Sequence, residues 1–155
     1  MDLPDRTDRH LLALLQQDNR QPLRTLAEQI GISAPTCLRR LRRLERTGTI
    51  RGHGARVDAA HLGFAVTAHV EVTLAQASGS EMRAFERRMM RCAEVLQCWE
   101  LAGDIDYLLL VVVRDMPALS EFTRRHLADD VRVSSFRTLI VLRQTKDALL
   151  PIATQ

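Results

Sequence analysis

Ser33-Ala34-Pro35-Thr36-Cys37-Leu38-Arg39-Arg40-Leu41-Arg42-Arg43-Leu44-Glu45-Arg46 sets five arginines on a helical apolar spacing, directly after the punctuation Gly31-Ile32. At about 100° per residue, Cys37, Leu41 and Leu44 fall on one face with Ala34 and Gly48, while Thr36, Arg39, Arg43 and Arg46 fall opposite. One face is built to pack and the other is cationic, the layout of a helix that reads DNA. Leu38, Leu41 and Leu44 are expected in the core.

Working upstream, Leu23, Leu26, Ala27 and Ile30 share one helical face, and Gly31 is suited to end that helix in a left-handed conformation. Ser33 is placed to cap the next helix through its side-chain oxygen. Pro35 costs little in a first turn, where its missing N–H has no intrahelical partner. Helix, tight glycine turn and capped basic helix make a helix-turn-helix. Leu11, Leu12, Leu14 and Leu15, between Asp8 and the turn-like Asp18-Asn19-Arg20, supply a third helix and a small core. Within the basic helix, Thr36, Arg39 and Arg40 are expected at base edges, and Arg42, Arg43 and Arg46 at phosphates. Ser33 and Pro35 at the helix start, and Arg51 in a wing beyond it, complete the candidate DNA contacts.

Charge follows the same division. Residues 1–60 hold 11 arginines against 7 acids, net +4, whereas residues 61–155 hold 11 cations against 12 acids, net −1. All cations but Lys146 are arginines, whose planar fork suits phosphates and guanine edges. With 155 residues the chain has room for two small domains, expected at 1–60 and 61–155. The longest apolar run, Tyr107–Val113, is far short of a membrane span, and the first residues lack a signal-peptide pattern, so a cytoplasmic protein is expected. Cys37, Cys92 and Cys98 are scattered, with no Cys-x-x-Cys pair, and read as small hydrophobes rather than as disulfides or zinc ligands.

Residues 48–63 carry four glycines at Gly48, Gly52, Gly54 and Gly63, with short runs at Ile50 and Val57. They read as an extended linker with strand character, a candidate wing. Gly52-x-Gly54 has no third glycine at the required offset and no helix pattern after it, so it is not a dinucleotide fingerprint. Beyond it the period changes to two. Phe64, Val66, Ala68, Val70, Val72 and Leu74 alternate with Ala65, Thr67, His69, Glu71 and Thr73, a half-buried strand. Ser80 is read as the cap of a helix with the stripe Met82, Phe85, Met89 and Cys92. Strands at 95–102 and 107–113 flank the turn Gly103-Asp104-Ile105-Asp106, the second of them expected to be buried on both faces. A helix near Pro117 buries Leu119, Phe122, His126 and Leu127, and a strand over 131–143 closes the series. The fold class is therefore α+β: a winged helix-turn-helix joined by a linker strand to a ferredoxin-like β-α-β-β-α-β domain. Helices on one face leave the other sheet face to be covered, and a second copy would cover it. A twofold dimer would also bring two basic helices to successive major-groove turns about 34 Å apart.

Almost the whole chain, from Asp8 to Pro151, resembles the Lrp/AsnC (feast/famine) family of bacterial transcriptional regulators. The likeness is carried by Asp8-Arg-His-Leu-Leu, Leu26-Ala27, Gly31-Ile-Ser, Arg40 with Leu41 and Leu44-Glu45, Gly48-Thr-Ile-Arg-Gly, Leu62-Gly63, Gly103-Asp-Ile-Asp-Tyr107, and Lys146 with Leu150-Pro151. The resemblance implies control of amino-acid metabolism through double-stranded DNA, dimers that assemble into octamers, and a small amino-acid effector bound where dimers meet. It implies no cofactor and no metal. On that footing Asp104 and Asp106 offer carboxylates to a ligand ammonium, and Gly103 lets backbone approach a ligand carboxylate. Leu101, Met116, Ser135 and Thr138 are candidates for the side-chain pocket. Aspartates also simply make turns, which is the competing reading of Asp104 and Asp106. His53, where relatives commonly have tyrosine, and Cys37, where a β-branched residue is frequent, depart from the family pattern.

No nucleophile elbow, metal-ligand histidine pair or phosphate loop is present, which argues against an enzyme. The alternatives to an effector-modulated regulator are an architectural DNA-wrapping protein and a ferredoxin-like dimeric enzyme or amino-acid-binding module.

Overall fold

Asp5 starts the first helix, α1 (Arg6–Gln17), through a reciprocal capping box: its carboxylate accepts from the Asp8 N–H at 2.8 Å, and the Asp8 carboxylate accepts from the Asp5 N–H at 3.0 Å. The computed structural model describes residues 3–76 and 78–153. Helix α2 (Leu23–Ile30) ends at Gly31, whose φ of 71° lies in the left-handed region open to glycine. Ser33 caps α3 (Ala34–Arg46) through its hydroxyl, with Pro35 in the first turn, as the sequence anticipates. Leu11, Leu26, Ala27, Cys37 and Leu44 form the buried core of these three helices, with Leu12, Leu15, Leu41 and Ile50 packed around it. Leu38 departs from expectation. It stands about 100° round the helix from Cys37, is only half-buried, and lies in the outer arginine-lined groove instead.

The chain divides into two compact units, residues 3–56 with the tail 146–153, and residues 57–145. The boundary thus falls a few residues before the expected one, and the tail, expected with the second domain, belongs to the first unit. An ion pair between Arg56 and Asp147 ties tail to linker there. The linker over residues 51–57 is exposed and, among the described residues, pairs with no strand, because an extended segment needs a neighbour before it forms a ladder. A single 3-10 turn, Ala60–Leu62, follows and ends at Gly63.

The second unit runs β1 (Val66–Leu74), α4 (Gly79–Met89), β2 (Val95–Glu100), β3 (Tyr107–Val113), α5 (Met116–Thr123), a π turn (Arg124–Ala128) and β4 (Val133–Ile140). The four strands make one antiparallel sheet in the order β2-β3-β1-β4, the split β-α-β-β-α-β arrangement. Ala68, Val70 and Val72 pair with Val111, Leu109 and Tyr107 and point to the helices, where Phe85, Met89, Leu119, Phe122 and Leu127 close the core. Two boundaries differ from the sequence reading. The cap of α4 is Ser78, whose hydroxyl accepts from the Glu81 N–H, rather than Ser80, and β4 is shorter at both ends than residues 131–143. Serine followed three residues later by glutamate is the capping pattern, and it marks Ser78.

Strand β3 is buried along its helix side, and on its open side only Val112 is buried, at 8% exposure, while Leu108 and Leu110 are half-buried, so burial on both faces holds only toward Val113. Leu108 and Leu110 point to the open face with Trp99 and Leu139, which are 40% and 43% exposed. Thr67, His69 and Gln97 share that face, as do Glu71 and Arg137, paired across β1 and β4 at 2.7 Å. Of the cysteines, Cys37 and Cys92 are buried as expected, whereas Cys98 is exposed on the edge strand.

Candidate nucleic-acid interface and effector site

The recognition helix is anchored by a buried carboxylate. Asp8 is fully buried and stands at N3 of α1, so its oxygens face α3. Arg40 Nη1 donates to Asp8 Oδ1 at 2.9 Å and to Asp5 Oδ2 at 2.7 Å, and Arg43 Nη2 forms a second ion pair with Asp8. The Asp8 N–H, followed by the Arg40 guanidinium, holds the Asp5 carboxyl below the ordinary carboxylate range. Asp5 and then Asp8 push the Arg40 guanidinium above its usual value. Arg40, expected at a base edge, and Arg43, expected at a phosphate, are thus engaged in holding α3 against α1. The helical wheel contains the reason, since Arg40 lies only about 60° from Cys37, on the flank of the packed stripe.

The remaining side chains form the outward surface. Pro35, Leu38, Arg39, Arg42 and Arg46 line a groove of about 680 Å³ along α3, bordered by Asp5, Arg40 and Arg43. Pro35, Arg39, Arg42 and Arg46 recur at the three- and four-residue spacing that puts them on one stripe. Arg39, Arg42 and Arg46 are exposed. Thr36 is half-buried beside the cap, its hydroxyl accepting from Ser33 Oγ at 2.9 Å. Arg51 is off this stripe; it lines a separate concavity of about 960 Å³ with α1, the linker and residues 149–153. His53 Nε2 lies 3.2 Å from Glu45 Oε1, so the departure at this position is occupied by a contact at the end of α3.

The seven effector candidates do not converge within one chain. Leu101, Gly103 and Asp104 are exposed in the β2-β3 turn, at the sheet end that also holds Ser135 opposite Thr73. Met116 starts α5 beyond the far end of β3, roughly 20 Å away by strand rise. Ser135 and Thr138 sit on opposite faces of β4, Thr138 beside core residue Val70, because three residues along a strand reverse the side-chain direction. Asp106 has a structural duty: Oδ2 accepts from the Leu74 N–H at 2.7 Å, its N–H donates to Val72 O at 3.0 Å, and its carbonyl accepts from Leu101 N–H at 2.8 Å. Gly103, at φ 150°, makes the turn possible. Among the described residues no cluster of histidine, cysteine, aspartate and glutamate suits a metal ion, and no helix is long and apolar enough to cross a membrane.

A capped, outward-facing arginine helix on one unit and a one-sided ferredoxin-like sheet on the other define a two-domain DNA-binding regulator with a ligand-binding module. Residues 5–45 match the AsnC-type helix-turn-helix domain and residues 67–150 the Lrp/AsnC ligand binding domain. The chain belongs to the Lrp/AsnC family of transcriptional regulators, which are DNA-binding proteins and not enzymes. It is 38% identical to a leucine-responsive regulatory protein of Rhizobium meliloti, over 93% of this chain and 92% of that one. It is 35% identical to the Bkd operon transcriptional regulator of Pseudomonas aeruginosa, over 90% and 91%. Among solved structures, a transcriptional regulator of Neisseria meningitidis in complex with L-Met superposes with a TM-score of 0.86 at 30% identity, covering 95% of this chain and 96% of that one. An AsnC family regulator of Agrobacterium tumefaciens gives 0.85 at 32% identity with the same coverage.

Proposed function

We propose that this protein is a homodimeric regulator of amino-acid metabolism genes that reads its operator with Arg39, Arg42 and Arg46 and responds to a small amino acid. The observation that carries the reading is the outward stripe of α3, free of the Asp8 anchor, on a chain whose second unit is a family ligand-binding module. Arg39, in the N-terminal half of α3, takes a base edge, and Arg42 and Arg46 take phosphates. Arg39→Ala should cost about 1 to 3 kcal/mol on the operator and relax its sequence preference, whereas Arg46→Ala weakens all duplexes alike and lowers the salt dependence. Footprinting and salt titration of binding separate the two outcomes. An Arg39→Ala footprint unchanged in strength and sequence would contradict this placement.

The effector, a free amino acid, sits against the exposed turn Leu101-Asp104, where a neighbouring dimer abuts in a larger assembly such as an octamer. Met116 lies too far from the turn in its own chain and Thr138 faces the helix side of the sheet, so each takes part in that site only from another copy. Asp104 is the carboxylate for the ligand ammonium, and Asp106 keeps the turn in place. Asp104→Asn should therefore lower amino-acid affinity about tenfold or more with an unchanged melting temperature. Asp106→Ala, which strands the Leu74 N–H, should instead cost about 1 to 3 kcal/mol of stability. Calorimetric titration with the common amino acids, paired with thermal melting of each variant, checks both. Equal amino-acid affinity in Asp104→Asn and the parent would place the effector elsewhere.

A further inference from the structure

We propose that the second unit holds an oxyanion site for a small phosphorylated ligand, on the helix side of the sheet and apart from both the open face and the turn at Gly103. A concavity of about 410 Å³ lies between the end of α4, the π turn and the approach to β4, lined by Arg87, Arg88, Arg91, Arg132, His126 and Cys92 with Ala84. Four guanidinium groups line it, and among the described residues no carboxylate does.

The decisive group is Arg88. Its Nη1 pairs with Asp130, while Nε and Nη2 are buried and have no hydrogen-bond partner. Those two N–H groups lie on one edge of the guanidinium, the edge that meets an oxyanion with two parallel bonds. Buried donors are rarely left unmet, so an unpaired fork edge beside a cationic hollow marks where an acceptor belongs. Two of the nearby acids are engaged in ion pairs: Asp130 serves Arg88 and also Arg132, whose Nε donates to Oδ1 at 2.9 Å, and Glu121 is held in the Arg124 fork. Glu81 lies 4.0 Å from Arg132 with its Oε2 buried and without a hydrogen-bond partner. Glu94 contributes a negative field at His126, opposed by Arg125 and Arg88. Arg87 and Arg91, one turn apart and exposed, have no acidic partner among the described residues. His126 Nδ1 stands 3.5 Å from Cys92 Sγ at the inner wall, adding an imidazole to the site.

Several arginines converging on one hollow suit a group of more than one negative charge, which favours phosphoryl over carboxylate. A concave site of this size admits a phosphate or diphosphate with a small substituent, whereas a duplex presents its phosphates on a convex rod. The ligand is therefore a free phosphorylated molecule rather than the DNA backbone.

The test titrates full-length protein, without DNA and at constant ionic strength, with inorganic phosphate and pyrophosphate. Binding is read by calorimetry and by the imidazole resonances of His126, assigned with His126→Gln. Pyrophosphate should saturate at one site per chain in the His126 signal and bind more tightly than phosphate. Arg87→Gln combined with Arg91→Gln should weaken it about tenfold or more. Arg88→Lys keeps a charge for Asp130 but lacks the fork edge, and should also weaken it about tenfold, while Arg42→Gln on the recognition helix leaves the His126 response intact. A His126 signal indifferent to pyrophosphate overturns the proposal, as does a response abolished by Arg42→Gln but kept in the Arg87 and Arg91 variant. If that variant instead loses operator affinity with a shallower salt dependence, and pyrophosphate fails to bind the parent, these arginines contact duplex DNA and the small-ligand site is refuted.

Discussion

Asp8→Ala should lower the melting temperature of the helical unit by roughly 15 to 30 °C. Asp8 is fully buried and is shared by Arg40 and Arg43, so its removal leaves two guanidinium groups facing a hollow lined for a carboxylate. Breaking a buried pair by deleting one partner typically costs about 3 to 5 kcal/mol. Here the arginine side chains are 25% and 35% exposed and recover some hydration, which favours the lower end, about 3 kcal/mol. The capping box between Asp5 and Asp8 is lost as well, worth about 1 kcal/mol. A domain of 60 to 100 residues shifts by about 4 to 8 °C per kcal/mol, so the change is large against the stability of so small a unit. Far-ultraviolet circular dichroism of the full-length protein measures it. Asp8→Asn, which keeps the shape without the charge, should fall between the parent and Asp8→Ala. A melting temperature within about 2 °C of the parent for Asp8→Ala would show that Arg40 and Arg43 do not depend on this carboxylate. Arg40→Ala should likewise act on stability first, and only through it on operator choice.

On the proposed dimer, with the open sheet face as its seam, Leu110→Lys should give a monomer and reduce operator affinity about a hundredfold or more. Leu110 is in the central pair of strands and points to the open face, beside His69 and Gln97, with Leu108 two residues along. A lysine there is solvated in the isolated chain, so the core of Phe85, Leu109 and Val111 behind the sheet is undisturbed. In a face-to-face pair the same ammonium would lose its water while Glu71, the carboxylate on this face, is already paired with Arg137, which is costly. A monomer holds one recognition helix at a time, and the avidity lost on separating two linked half-site contacts is of the order of a hundredfold or more. Sedimentation reports the assembly, and a gel shift on a two-half-site operator reports the affinity. Should Leu110→Lys remain dimeric, the interface lies elsewhere than on this face.

The division of labour between chain order and packing is visible at particular residues. Local patterns were sufficient for the elements: Gly31 and Ser33 bracket the turn before α3, and period-two alternation from Val66 to Leu74 defines β1. The tight turn at Gly103 and the caps also depend on neighbours a few residues away, which is why the sequence alone places them, with the slip from Ser78 to Ser80 only an ambiguity among adjacent serines. The β-α-β-β-α-β order follows from the same local signals.

The sequence by itself determined the cationic helix, the family and the one-sided sheet. Only the tertiary structure decided which arginines face outward, because Asp8 meets Arg40 and Arg43 across 32 and 35 residues of chain. It likewise decided that the tail after residue 145 belongs to the first unit, that Asp106 is committed to the Leu74 N–H, and that Arg88 keeps an unpaired fork beside His126. Each of these is a meeting of polar groups distant in sequence. Apolar burial is read from periodicity because it asks only which face a residue occupies, whereas an ion pair or hydrogen bond requires one particular partner at about 3 Å, and only the folded chain selects it.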